Sequence, residues 1–138
     1  GYTNQFYGQG GNDTMSGLGG NDLLYGGNDA DKVYGGDGND TVSGDDDDDR
    51  LGGGPGSEQL FGNDGHDTLI AGNGAGDVLD GGLGNDVLRG SDDGADLLAG
   101  GDGRDQLFGF AGISITCVGP IFTADFITYF FRKASTRV

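Results

Sequence analysis

Along most of the chain one apolar position returns about every nine residues: Met15, Leu24, Val33, Val42, Leu51, Leu60, Leu69, Leu79, Leu88, Leu98 and Leu107. Each is the middle of a short extended segment, such as Leu23-Leu24-Tyr25 or Lys32-Val33-Tyr34. Side chains alternate along a strand, so the middle residue faces one way and its neighbours the other. The flanking positions carry Thr, Lys, Arg, Gln, Ser and Tyr, which is what a solvated face looks like. The six residues before each segment are rich in Gly, Asn and Asp, which tolerate positive φ and read as turns. Three residues make no stable strand alone. Two such strands per coil, stacked at about 4.8 Å, predict an all-β solenoid with a thin apolar seam between two parallel sheets.

Gly35-Gly36-Asp37-Gly38-Asn39-Asp40-Thr41-Val42-Ser43 serves as the template, its positions numbered as slots one to nine. Gly81–Arg89 and Gly100–Phe108 match it at every defined slot. Slot six is always acidic from Asp13 onward: Asp13, Asp22, Asp31, Asp40, Asp49, Glu58, Asp67, Asp77, Asp86, Asp96 and Asp105. With two repeats per coil these acids form two columns. One presents Asp13, Asp31, Asp49, Asp67, Asp86 and Asp105, and the other Asp22, Asp40, Glu58, Asp77 and Asp96. The ten-residue spacings from Asp67 to Asp77 and from Asp86 to Asp96 predict enlarged turns on the second column.

A column of carboxylates about 5 Å apart repels itself unless something neutralises it. Calcium suits such a column, since it takes six to eight oxygens, backbone carbonyls included, at about 2.3–2.6 Å. Magnesium fits less well because it demands tighter octahedral geometry and gives up water reluctantly. Soft metals fit worse still, with His66 and Cys117 the sole His and Cys. Six turns stacked in one column and five in the other leave five and four gaps, nine in all. Residues 1–108 carry 22 acids and four bases, a net of −18 that up to nine divalent ions would balance.

The repeat resembles the RTX (repeats-in-toxin) family of secreted calcium-binding β-rolls, over roughly residues 8–109. The resemblance implies a right-handed parallel β-roll of about six 18-residue coils. It also implies that each calcium ion sits between same-side turns of adjacent coils. Acid-slot carboxylates of both turns would hold it, with carbonyls largely from slots two and four. Carried onto this chain, those carbonyls belong to Gly11, Gly20, Gly27, Asp29, Gly36, Gly38, Asp47, Gly65, Gly82, Gly84, Gly94, Gly101 and Gly103.

Three copies depart from the template. Gly44–Gly52 replaces its glycines with Asp45 to Asp49, either a richer calcium site or a solvated acidic loop, while Asp49 keeps its slot. Gly53–Phe61 has Pro55 and a Glu58 that is one methylene too long, so its ion is expected to be displaced or absent. Gly8–Ser16 has Gln9 for glycine. The chain opens in a degenerate repeat without an initiator Met or signal peptide, with Asn4 and Phe6 in the acid and apolar slots; more repeats or another domain are expected to precede it.

Composition narrows the function classes. Gly is 33 of 138 residues and apolar content is 33%, too little for a conventional layered core. Such a chain would ordinarily be disordered, but a solenoid adds its core one coil at a time. A net charge of −16 opposes nucleic acid and anionic membrane, and no apolar run is long enough to span a bilayer. Lone Cys117 allows no intrachain disulfide. There is no metalloprotease, nucleophile-elbow or phosphate-loop motif, and eleven equivalent acids argue for ligand duty over glycosidase chemistry. His66, in slot five, reads as a surface residue. Tyr25, Tyr34, Phe61 and Phe108 fall in the outward ninth slot as scattered surface aromatics.

Residues 110–138 form a different segment. Ile113-Ser114-Ile115-Thr116-Cys117-Val118 alternates like a strand, and Phe122, Phe126 and Phe130 recur at helical spacing after Pro120. Solenoid ends need covering, so the segment is expected to cap a roll spanning residues 1–109; a type I secretion signal is the competing reading, against which its basic ending counts. The expectation is a non-catalytic calcium-binding module of a secreted bacterial-type protein, extracellular or at the cell surface, that folds when calcium closes its coils. The alternatives are a self-associating adhesin, S-layer or fibre module, or the C-terminal module of a secreted hydrolase or epimerase. Calcium is the expected partner, and self-association through roll ends or faces stays open.

Overall fold

The structure, a computed structural model, describes residues 1–91, 93–109 and 114–116. Among these, thirteen strands numbered in chain order lie in two parallel sheets. One sheet orders β1 (Gln5–Gly10), β3 (Leu23–Asn28), β5 (Thr41–Asp46), β7 (Gln59–Asp64), β9 (Val78–Leu83), β11 (Leu97–Asp102) and β13 (Ser114–Thr116). The other orders β2 (Thr14–Gly19), β4 (Lys32–Asp37), β6 (Arg50–Pro55), β8 (Thr68–Asn73), β10 (Val87–Arg89) and β12 (Gln106–Phe108). Successive strands alternate between sheets, so the chain winds as a parallel β-solenoid of about six coils.

Register keeps every slot over its equivalent. Leu24 pairs with Val42, Val42 with Leu60, Leu60 with Leu79 and Leu79 with Leu98, while Val33, Leu51, Leu69, Leu88 and Leu107 align in the other sheet. All ten of these slot-eight residues are buried and form one continuous seam. A one-residue slip would turn that whole set to solvent, which is why the period fixes the register. Coils at the start of the roll have a neighbour on one side only, so Met15 is half-buried and Phe6 exposed.

The strands are longer than the apolar segments suggest. Most continue through slots one to three, so that only slots four to six remain as turn. Pairing skips slot one, as between Tyr7↔Tyr25 and Gln9↔Gly27, and the chain bends there. The expected enlargement on the second column is present: four residues, 74–77, separate β8 from β9, against three, 38–40, between β4 and β5.

The bend has a consistent backbone cause. Nearly every slot-two and slot-four residue has positive φ, from 71° at Leu18 to 157° at Gly65. Asp29, Asp45, Asp47 and Asn63 take values between 75° and 83°, within reach of Asp and Asn. Leu18 adopts the same region with no polar side chain to ease it, and its side chain is exposed. At Gly38 and Gly84 an added Cβ would run into the carbonyl oxygens of Gly20 and Gly65, one coil back. Glycine there serves both the angle and the close stacking. Of the tail, β13 extends the first sheet by pairing with β11; Cys117, Phe122, Phe126 and Phe130, and the cap expected of them, lie outside the described residues.

Candidate metal centre

Left-handed backbone at slots two and four turns the carbonyls along the roll axis. The slot-two oxygens of Gln9, Leu18, Gly36, Gly54, Asn63 and Gly82 each face the Cα one coil on. The slot-four oxygens of Gly20, Gly38, Asp47, Gly56, Gly65 and Gly84 do the same. From the following coil, slot-one carbonyls such as Gly35 and Gly100 point back. Each gap between stacked turns therefore collects oxygens from both sides.

The acids complete these gaps. All of these carboxylates except those of Asp13 and Glu58 reach back one coil and accept the backbone N–H of the slot-six residue before them. In the first column Asp13, Asp31, Asp49, Asp67 and Asp86 donate to Oδ1 of Asp31, Asp49, Asp67, Asp86 and Asp105 at 2.7–3.0 Å. In the second, Asn4 donates to Asp22, Asp22 to Asp40, Glu58 to Asp77 and Asp77 to Asp96, at 2.6–3.1 Å. Asn4 serves because the donor is backbone. The two columns read from the sequence are therefore physical hydrogen-bonded ladders.

The second oxygen is the informative one. Oδ2 of Asp22, Asp31, Asp40, Asp49, Asp67, Asp77 and Asp86 is buried with no hydrogen-bond partner, as are both oxygens of Glu58. Oδ2 of Asp22, Asp31, Asp40, Asp67 and Asp86 lies against the slot-one glycine of its own repeat, in space that a Cβ would fill. A buried, unpaired anion costs several kcal/mol, roughly, so these oxygens call for a cation or a proton. Burial is the main cause that raises the carboxyls of Asp31, Asp40 and Asp77 above the ordinary carboxylate range. It pushes Asp67 up to about 6, with Asp48 and Asp64 adding to the effect, and Asp49 and Asp86 up to about 7, with neighbouring acids of the column adding there.

Glu58 stands apart, as its extra methylene predicts. Its carboxyl is fully buried and lifted to about 8, first by burial and then by the charge of Asp77. A proton shared with Asp77 is the hydrogen bond open to it, and that requires one of the two to be neutral.

Among the described residues no three His, Cys, Asp or Glu side chains converge on one point. The gaps instead combine paired acids with backbone carbonyls. An all-oxygen set of that kind fits a hard divalent cation, and calcium's tolerance for many carbonyl ligands fits it better than magnesium's rigid octahedron. No helix among the described residues is long and apolar enough to cross a membrane.

Two features were not anticipated from the residues. Slot five carries an outer ladder: the N–H of Asn39 donates to Asn21 Oδ1, that of Ser57 to Asn39 Oδ1, and that of His66 to Asp48 Oδ1. His66 is exposed but is also a rung, since its Nδ1 accepts the Asn85 N–H at 2.8 Å. Recurrence of Asn and Asp in slot five was the signal available. The other feature is Ser91, buried in the turn before Asp96. That turn differs from the expectation for Gly94, whose φ lies outside the left-handed region and whose Cα faces Ala75 rather than a carbonyl. Of the outward aromatics, Tyr25 stacks on Tyr7 at 5.1 Å and Phe108 lies beneath the Arg89 guanidinium.

The family model for the RTX calcium-binding nonapeptide repeat (4 copies) matches residues 7–42, 25–57, 52–88, 72–93 and 90–112. No curated protein and no solved structure matches the chain.

Proposed function

Because the chain belongs to the RTX calcium-binding nonapeptide repeat family, we propose that its turns hold calcium through the paired acid ladders and that this binding drives folding. The observation that carries the reading is the row of buried carboxylate oxygens without partners. In this reading the first-column ligands are Asp13, Asp31, Asp49, Asp67, Asp86 and Asp105, and the second-column ligands are Asp22, Asp40, Glu58 and Asp77. Carbonyls of the left-handed slots, among them Gly36, Gly38, Gly82 and Gly84, complete each shell. Calcium, when bound, supplies two positive charges where two turns bring their acids together. The chain's own part is to aim oxygens, exclude water and set the spacing. The roll performs no reaction in this account.

Binding energy becomes folding energy when the site does not exist in the unfolded chain. In a calcium-poor cell interior the acids keep the chain open, and outside the cell the ion closes it. We therefore place the module in a secreted, bacterial-type protein.

The sites should be unequal. Asp86 and Asp105 belong to full-match repeats and share a regular ladder bond, so the gap between them should fill readily. The gaps on either side of Glu58 should fill last, because that carboxyl holds its proton to about pH 8. Anomalous scattering from crystals grown at limiting calcium ranks them. Full peaks beside Glu58 with none between Asp86 and Asp105 would reverse the order.

A further inference from the structure

Ser91 occupies a place that the other gaps leave open. Its Oγ lies 2.6 Å from the Gly74 carbonyl oxygen and 2.9 Å from Asp96 Oδ2, and its own N–H donates to that Oδ2 at 2.8 Å. Gly74 is the slot-four residue of the preceding second-column turn, and Asp96 is the acid of Ser91's own turn. These are the two kinds of oxygen that a cation between turns would join.

We infer that Ser91, bonded to Gly74 and Asp96, is a hydrogen-bonded clasp that closes the gap between Asp77 and Asp96 without a cation. The inference rests on the calcium reading of the other gaps and limits it: eight of the nine gaps remain for ions.

Three independent features of this turn agree. Asp96 is buried like its column mates, yet its Oδ2 is partnered where those of Asp22, Asp40 and Asp77 are not. Neither Ser91 nor Gly94 has left-handed backbone, and Gly94 meets Ala75 where the slot-four glycines of other turns meet a carbonyl, so this turn is not stacked on the one before it as the others are. Strand β10 ends at Arg89, whereas β4, β6 and β8 continue through slots one to three.

The chemistry is self-consistent. A carboxylate and a carbonyl are both acceptors, and a hydroxyl between them donates its one proton to either. The Ser91 amide gives Asp96 a further bond, and hydrogen bonds to a charged acceptor are about twice as strong as neutral ones. An ion ligated at about 2.3–2.6 Å by both oxygens would have to displace the hydroxyl that joins them. Unlike a calcium gap, this joint does not depend on ion concentration.

Equilibrium dialysis of the full chain against calcium, with elemental analysis of bound metal, tests the clasp. Asp96→Asn should bind as many ions as the unaltered chain, while Asp86→Asn should lose at least one. Loss of an ion from Asp96→Asn would overturn the inference. Should Asp96→Asn fail to fold, Ser91→Gly decides: it removes the hydroxyl and restores the glycine of the full-match repeats, and should bind one ion more. A count at or below that of the unaltered chain would mean that the hydroxyl is not what excludes the cation. No calcium on the unaltered chain would retire the calcium reading itself, a separate outcome.

Discussion

With divalent ions chelated, the chain should be coil-like at about pH 8 and should become β-rich on acidification alone towards about pH 5. The buried acids set the direction. Asp49 and Asp86 titrate at about 7, Glu58 at about 8 and Asp67 at about 6 in the roll, all above their ordinary values. A raised carboxyl pKa means that the folded form binds protons that the unfolded chain does not. The penalty is complete above the folded values, shrinks as pH falls through 8 to 6, and is gone near the unfolded values around 4. Each group raised in this way favours its neutral form in the roll, so the buried acids oppose the ion-free roll above about pH 8 and cease to oppose it as they take up protons. Protons and calcium thus answer the same unpartnered oxygens. Far-ultraviolet circular dichroism in chelator across this range checks the prediction; spectra equally coil-like at both ends would break the link between buried charge and unfolding.

Gly84→Ala should be among the most damaging single substitutions outside the seam. Gly84 has a φ of 139°, which a residue with a Cβ rarely adopts, and the new methyl would collide with the Gly65 carbonyl. The collision is with backbone, so no rotamer change relieves it; the turns must part, and the oxygens aimed between them part too. Strain at such an angle costs about 1–3 kcal/mol, and overpacking adds about 1–3 more. Thermal unfolding in saturating calcium should drop by on the order of 10 °C or more. Gly10→Ala is the control, because a Cβ there meets nothing within 4 Å. Equal melting of the two variants would show that close stacking at slot four does not matter.

Much of the architecture was legible because one periodicity encodes it. The inward slot eight, the two acid columns and the enlarged turn before Asp77 all follow from counting along the chain, and the structure has each of them. The longer strands were not legible, because Gly, Asn and Asp in slots one to three carry turn propensity even where they pair one coil away. The division of labour within each carboxylate was also hidden. Oδ1 takes an amide from 18 or 19 residues away, and only the stacked geometry shows that Oδ2 is left over. Ser91 was not legible at all. Its role depends on Gly74 and Asp96 arriving together in space, which no spacing rule announces. Conversely, Glu58 was readable as an exception from a single methylene, and its isolation in the ladder follows from that.

The central claim is that cation binding and folding are one event. Calcium titration of the metal-free full chain near pH 7.5, followed by circular dichroism with magnesium as the parallel control, addresses it most directly. The account predicts a coil-like spectrum in chelator and a cooperative change to β structure with calcium, with magnesium far less effective. A chain already β-rich in chelator at that pH, and unchanged by calcium, would contradict it.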